Sequence, residues 1–268
     1  MVFHPQGTSI ASTRANRAVK LGAAWLLLKT ASKLFNKLSH QSNARQHAAA
    51  GSHFFSDAVS QYSKLDKSII HRVPSVNSEE SIDLLRKNEI DVICCLGGEI
   101  IEEEFIKGAG VACLNIHSGL SPFYNGSASS AWAVAEGRPN FAGVTLMHMN
   151  EKIDGGKVIA HHLPSIEEGD TAASLFMKGI IGAVDMLDSA ISALESNDLF
   201  SGIPQERSFK YTVGMDWNIY QDLKLKRFEK SGGMKAYTRK AKTIFYEKKH
   251  LDMEFPYTYL LSHILKKN

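Results

Sequence analysis

Acidic residues are missing from the first fifty positions of this 268-residue chain, although that stretch holds seven lysines and arginines. Cysteine is scarce as well: Cys94, Cys95 and Cys113 are the whole complement, and all three lie in apolar runs. Three thiols so placed supply neither a disulfide framework nor a CxxC-type metal site, so a reducing, cytoplasmic compartment is expected. Long apolar runs are absent too. Leu21 to Leu28 is followed by Lys29, Lys33 and Lys37, and it falls well short of the ~20 residues of a transmembrane helix. The same lysines stand where a secretory signal would need its small-residue cleavage site. Residues 16–40 read instead as a basic helix that packs on the domain or lies on a surface. No internal repeat or low-complexity tract is found.

With 44% hydrophobic and 22% charged residues, the composition is ordinary for a globular protein with one sizeable core and a small appendage. The net charge of +3 hides an uneven distribution: residues 215–268 carry twelve Lys/Arg against six Asp/Glu. Both ends are basic and the middle is net acidic. Basic ends could attract a phosphorylated substrate, nucleic acid or an anionic membrane, yet a solvated helix face explains most such runs.

Three segments are expected: a basic helical stretch and loop over 1–67, an α/β domain over 68–200, and a basic, aromatic appendage over 201–268. The span from Ala44 to Lys67 lacks clear periodicity and reads as a loop with at most one short helix. Ser78 is placed to cap a helix through Ile82, Leu84 and Leu85, and Asn88 leads into an apolar strand from Ile90 to Leu96. A helix across Glu102 to Lys107, closed by Gly108 and Gly110, precedes a second buried strand from Val111 to Ile116. Strand, helix, strand implies a parallel pair. Ser127 to Glu136 reads as helix, and strands at Phe141 to Met149 and Lys157 to Leu163 flank the turn Asp154-Gly155-Gly156. Asp170 and Thr171 open the longest helix, with Leu175, Ile180, Ile181, Val184, Leu187, Ile191 and Leu194 at the spacing of a buried face. The class is α/β, with three layers around a mostly parallel sheet.

Chemistry concentrates in residues 115–126, NIHSGLSPFYNG. They lie at the carboxyl end of a buried strand, where open α/β sheets bind ligands. Side chains alternate along a strand, so Asn115 and His117 share a face and can address one substrate atom. Amide and imidazole together suit acyl-type transfer, since both donate to an oxyanion and the ring also moves a proton. Asp154, on its Gly-flanked loop, is placed to meet the His117 ring.

In these residues the sequence resembles the folate-dependent formyltransferase family. The likeness spans about residues 71–175 and rests on three features in order: Asn115-Ile116-His117, then Gly119-Leu120-Ser121-Pro122-Phe123-Tyr124-Asn125-Gly126, then Asp154-Gly155-Gly156. It implies a Rossmann-like fold and direct formyl transfer from 10-formyltetrahydrofolate to an amine, with no metal. It implies that Asn115 and His117 stabilise the tetrahedral intermediate and that Asp154 assists proton transfer through water. Leu96, Gly97, Gly98, Glu99 and Ile100, with Asn150, Glu151 and Ile153, would line the pterin pocket through main-chain groups. Ser118, Tyr124 and Gly126 would meet the acceptor.

The chain also departs from that family. Members begin with a buried strand and a Gly-rich turn, and nothing in Met1 to Asn16 reads so; the usual first strand is expected to be lacking. Purine-pathway members hold their substrate phosphate in that turn, which argues against glycinamide ribonucleotide. Members that formylate methionyl-tRNA carry a larger β-barrel, which the weak periodicity of 201–268 does not suggest. By elimination the acceptor is an amino sugar on a nucleotide, with Arg207, Lys210 and Lys224 as candidate contacts to a diphosphate. Nucleic acid is not expected as a partner, and a homodimer is an allowed assembly. Two rival readings remain. One is a metal hydrolase using His117, His148, His161, His162 and Asp154, disfavoured because the adjacent His161 and His162 face opposite sides of a strand. The other is a degenerate homologue that binds without turnover.

Overall fold

The computed structural model describes residues 43–150, 152–193, 201–205, 207–247, 250, 253 and 255–265. The basic helix expected over 16–40 and the question of a strand before it lie outside the described residues. Residues 46–268 form one compact unit.

The stretch read as a loop is largely helical, over 46–54 and again at Ala58–Lys64. Its alanines are strong helix formers, and tertiary contact supplies what periodicity did not. His47 meets the Phe176 ring edge-on with centroids 5.7 Å apart. Helix α1 (Glu79–Lys87) starts as expected, with the Ser78 hydroxyl accepting from the Ser81 amide, and ends at Asn88. Glu79 and Glu80 sit in its first turn and Arg86 and Lys87 in its last, in accord with the helix dipole.

A βαβ unit follows: β1 (Val92–Leu96), α2 (Glu103–Ile106) and β2 (Ala112–His117). β1 and β2 are parallel, from Val92 opposite Ala112 to Leu96 opposite Ile116. After the two-residue β3 (Asn125–Gly126) and helix α3 (Ser129–Ala135), the chain returns as β4 (Val144–His148) and β5 (Val158–Leu163). The α/β class is as expected. Where mostly parallel pairing was expected, however, three of the four described pairs in the five-stranded sheet are antiparallel: β2 with β4, β4 with β5, and β5 with β7 (Lys242–Phe245). The cause is connection length: the loop from β4 to β5 spans only 149–157, too short for a crossover.

The longest helix, α4 (Ala172–Ser192), opens on a capping box between Thr171 and Ser174, a device contributing ~1 kcal/mol. Its buried face is only in part the one the large side chains suggested: Leu175 is buried and Leu187 packs against the core. Leu175, Gly179, Gly182, Ala183, Met186 and Ala190 face inward, whereas Ile181, Val184 and Ile191 are exposed. Close approach explains the choice. A Cβ on Gly179 would lie 2.9 Å from Val144, and one on Gly182 would lie 2.0 Å from the His162 ring. Small residues let the helix lie directly on the sheet, where Leu114, Leu146 and Ile159 are fully buried, each contributing about 1.5–3 kcal/mol.

Residues 201–268 do not stand apart as the expected appendage. β7 completes the sheet beside β5, and Tyr246, Tyr257, Leu260 and Ile264 share a core cluster with Leu120 and Phe123. Only four residues long, β7 carries too brief an alternation to be read in advance. Helix α5 (Ile219–Lys230) packs on α3, and α6 (Thr258–Ile264) closes the described chain. The Arg239 guanidinium donates to the carbonyls of Asn140, Ala142 and Pro164 at 2.7, 2.8 and 2.9 Å, and burial lowers its pKa to about 10.

His161 joins the late strand to the turn after β2. Its Nε2 lies 2.7 Å from the Ser121 carbonyl and so carries the proton, leaving Nδ1 to accept from the Tyr246 hydroxyl at 2.7 Å. Burial lowers its pKa from 6.5 to about 3. Below pH 6.5 the unfolded chain gains a proton that the folded chain refuses, so stability falls as pH drops through the window from 6.5 to about 3. We expect His161→Gln to flatten this acid limb, by up to ~1.4 kcal/mol per pH unit. Urea unfolding of both proteins at pH 7, 5.5 and 4.5 checks it, and parallel pH profiles would refute it.

Candidate active site

The end of β2 carries Asn115 and His117 on one face, at the carboxyl edge of the sheet. The β4–β5 loop brings Asp154 against them in a left-handed conformation, φ +50°. Asp154 Oδ1 accepts from Asn115 Nδ2 at 3.3 Å and lies 3.3 Å from His117 Nδ1, while Oδ2 accepts from the Gly126 amide at 2.8 Å. The Asp154 carbonyl accepts from Asn125 Nδ2 at 3.0 Å. Its side chain is 10% exposed, and a carboxylate that far from water needs such donors. Asn115 and His117, the residues expected to act with Asp154, therefore both reach its carboxylate.

The turn after His117 is built on Thr145, which stands opposite His117 in the β2–β4 ladder. Its hydroxyl accepts from the Ser121 amide at 2.9 Å and donates to the Gly119 carbonyl. A Cβ on Gly119 would lie 2.5 Å from the Tyr124 carbonyl and 2.6 Å from His117 Nε2, so no larger residue fits between turn and ring. His117 Nε2 lies 3.0 Å from that carbonyl and 3.4 Å from Ser129 Oγ. Ser129, His117 and Asp154 thus stand in the order of a hydrolytic triad. Ser129 is only 1% exposed and donates to the Gly126 carbonyl at 3.1 Å, which denies it the access that a nucleophile needs.

Beside the trio lies a cavity of about 200 Å³ whose wall includes both Asn115 and Asp154. His117 is absent from that wall, and its side chain is 6% exposed. Of the residues expected to hold a pterin, Gly97, Gly98, Glu99, Ile100, Asn150 and Ile153 line the cavity. Leu96 does not, and Glu151 lies outside the described residues. Gly97 and Gly98 have φ of +66° and +109° with open space beside them, so main chain is bared there. The Glu99 carboxylate accepts from the Val76 amide at 2.7 Å and the Ser75 hydroxyl at 3.0 Å. Cys95, Ile101, Met147 and Met149 add apolar wall.

The residues expected to meet the acceptor divide. Ser118 is half-buried, and its carbonyl accepts from Ser130 Oγ at 3.2 Å. The Gly126 amide is already committed to Asp154. The Tyr124 ring is buried and its hydroxyl donates to Glu136 at 2.7 Å; burial pushes the phenol pKa up. Lys210 pairs with Glu136 and lies 4.1 Å over the Trp132 ring. Asn125, Ser129 and Thr145 escaped the sequence reading. Asn125 sits inside the motif and looked like an ordinary turn residue, while the other two carry no local signal.

An amide, an imidazole and a carboxylate are thus interlocked beside a cavity at the edge of an α/β sheet. Residues 37–181, more than half of the chain, match the formyl transferase family, and the chain belongs to that family. It is 30% identical over 166 residues to the bifunctional polymyxin resistance protein ArnA of Wigglesworthia glossinidia brevipalpis, covering 57% of this chain and 25% of that protein. It is 35% identical over 104 residues to the methionyl-tRNA formyltransferase of Agathobacter rectalis, covering 38% and 33%. The chain thus spans between a quarter and a third of the length of these two relatives. A solved sugar N-formyltransferase from a Shewanella species aligns with a TM-score of 0.44 at 20% identity, covering 56% of this chain and 64% of that one.

A close approach at the site yields a test. A Cβ on Gly126, whose φ is +86°, would lie 2.0 Å from the Thr212 carbonyl in β6 (Tyr211–Thr212). Gly126→Ala is expected to cost about 1–3 kcal/mol of stability from strain and to pull the amide away from Asp154. Denaturant unfolding measures the first effect, and an unchanged midpoint would contradict this account of the turn.

Proposed function

We propose that this chain transfers a formyl group from 10-formyltetrahydrofolate to a primary amine, with an amino sugar carried on a nucleotide as the acceptor. The observation that carries the proposal is the Asp154 carboxylate, which gathers Asn115, His117 and Gly126 at the edge of a cavity that has bared backbone at Gly97 and Gly98. Membership of the formyl transferase family supports the same chemistry. A flat, heteroatom-rich ring suits walls of bared backbone at Gly97 and Gly98 between isoleucine and methionine side chains, so the residues present fit the donor.

The chain's own groups then divide the work. One hydrogen of the Asn115 amide serves Asp154, and the other is available to the formyl oxygen as negative charge builds there. Asp154 is the carboxylate that stands beside Asn115 on the cavity wall, suited to take the proton shed by the attacking amine, directly or through water. His117, with one nitrogen toward Asp154 and the other toward the Tyr124 carbonyl, orients that carboxylate. The likeness to this family suggested that His117 acts directly on the oxyanion; its burial favours the supporting role.

Support for a nucleotide-linked acceptor is chemical. Arg207 is exposed, and no carboxylate pairs with it among the described residues, whereas Lys210 is held by Glu136 and Lys224 lies 4.5 Å over the Tyr220 ring. The names of the methionyl-tRNA relatives favour a second acceptor, charged initiator tRNA. Thermal shift with folinic acid, nucleotide-linked amino sugars and charged initiator tRNA, followed by a formyl-transfer assay on whatever binds, separates the two. Binding by none of them would refute the proposal.

Mutagenesis tests the mechanism. Asn115→Ala and Asp154→Asn are each expected to lower kcat by about 100- to 1000-fold, with folinic acid binding little changed. Near-normal turnover in both variants would reduce the trio to structural polar groups.

A further inference from the structure

The conformation of Asp154 has to be held. At φ +50° its backbone is in the left-handed region that non-glycine residues seldom adopt, and such strain persists only where neighbours impose it. Part of the restraint comes from Asn125, inside the motif. A further part comes from Gln205, beyond the 37–181 segment that matches the family. Gln205 Nε2 lies 2.9 Å from the Asp154 carbonyl and 2.7 Å from the Gly156 carbonyl. Both partners are acceptors, so the two amide hydrogens are spent on them; Met147 Sδ lies further off, at 3.6 Å. Oε1 in turn faces Asn125 Nδ2 at 3.5 Å.

Gln205 is itself anchored by main chain. Two residues earlier, Ile203 exchanges a pair of backbone hydrogen bonds with Val158 on β5, both 2.8 Å. The Pro204 carbonyl accepts from the Tyr257 hydroxyl at 3.3 Å. The loop's other side is equally closed, since a Cβ on Gly156 would lie 1.6 Å from the His148 carbonyl. The loop is thus pressed against β4 on one side and strapped by one amide on the other.

We propose that Gln205 is a positioning residue: its amide, bridging the Asp154 and Gly156 carbonyls, holds the loop in the conformation that brings the Asp154 carboxylate to Asn115 and His117. The catalytic meaning of this rests on the formyl-transfer reading above, but the geometry does not. Losing the strap lets the Asp154 backbone relax and withdraws its carboxylate, while the cavity walls at Gly97 to Ile101 stay in place.

Two variants test it, Gln205→Ala and the near-isosteric Gln205→Glu, which sets a carboxylate against two carbonyls. In the free protein, both are expected to shift the His117 ring nitrogen resonances in NMR and to speed amide exchange over 152–156 by about tenfold, with a small change in Tm. Formyl transfer is expected to lose on the order of 10- to 100-fold in kcat, with the Kd for folinic acid within about threefold of wild type. The NMR and exchange results decide the role of Gln205 even if no formyl transfer is found, so the two readings fail separately. Unchanged His117 resonances and loop exchange in both variants would overturn the proposal. So would loss of folding in both, which would make Gln205 a general determinant of the fold, or weakened folinic acid binding with kcat intact.

Discussion

A carboxylate removed from water has to be answered by donors, and the site depends on how Asp154 is answered. Its donors come from separate parts of the chain: Asn115 and His117 from β2, the Gly126 amide from the turn beyond it, and, for the carbonyl, Asn125. Each stands in place only because of a further contact. Thr145 on β4 holds the turn, and the missing Cβ of Gly119 lets the turn close over the His117 ring. A charge satisfied in this way is stable as a set and vulnerable singly, since removing one donor leaves the others facing a partly desolvated ion.

The sheet serves the same end. One parallel crossover delivers the carboxyl end of β2 to an open edge, which is where this topology exposes strand ends. The antiparallel strands beyond it are joined by a short loop, and that loop carries Asp154. A longer connection would have left the carboxylate on a flexible arm. Small residues on α4 press the helix onto β4 and β5, so the platform under the loop is dry and close-packed.

Much of this was legible in the sequence, because the informative patterns are local. Ser78 and Thr171 cap their helices where cap residues should, the apolar runs at Val92–Leu96 and Ala112–His117 are strands, and period-two alternation puts Asn115 and His117 together. What escaped reading depends on the partner surface. The buried face of α4 was only partly legible, because hydrophobicity does not record that the sheet demands glycine and alanine at the contact. β7 was missed because four residues carry little periodicity, and pairing with β5 decided its fate. Asn125, Ser129 and Thr145 act through contacts at long separation or through backbone carbonyls, and no window along the chain records those.

The hydrogen bond between His161 and Tyr246 links the turn after β2 to the order in which the chain is made. A nascent polypeptide emerging from the ribosome presents β2, the turn and the Asp154 loop well before β7 and Tyr246 exist. Until they arrive, His161 lacks one of its two partners, and β5 has an unpaired edge that invites the wrong strand. The half of the protein that holds the chemical groups therefore waits on its last quarter, and assembly is weighted toward contacts distant in sequence, which close slowly. A chain halted before β7 would carry Asn115, His117 and Asp154 without the packing that β7 and Tyr246 supply.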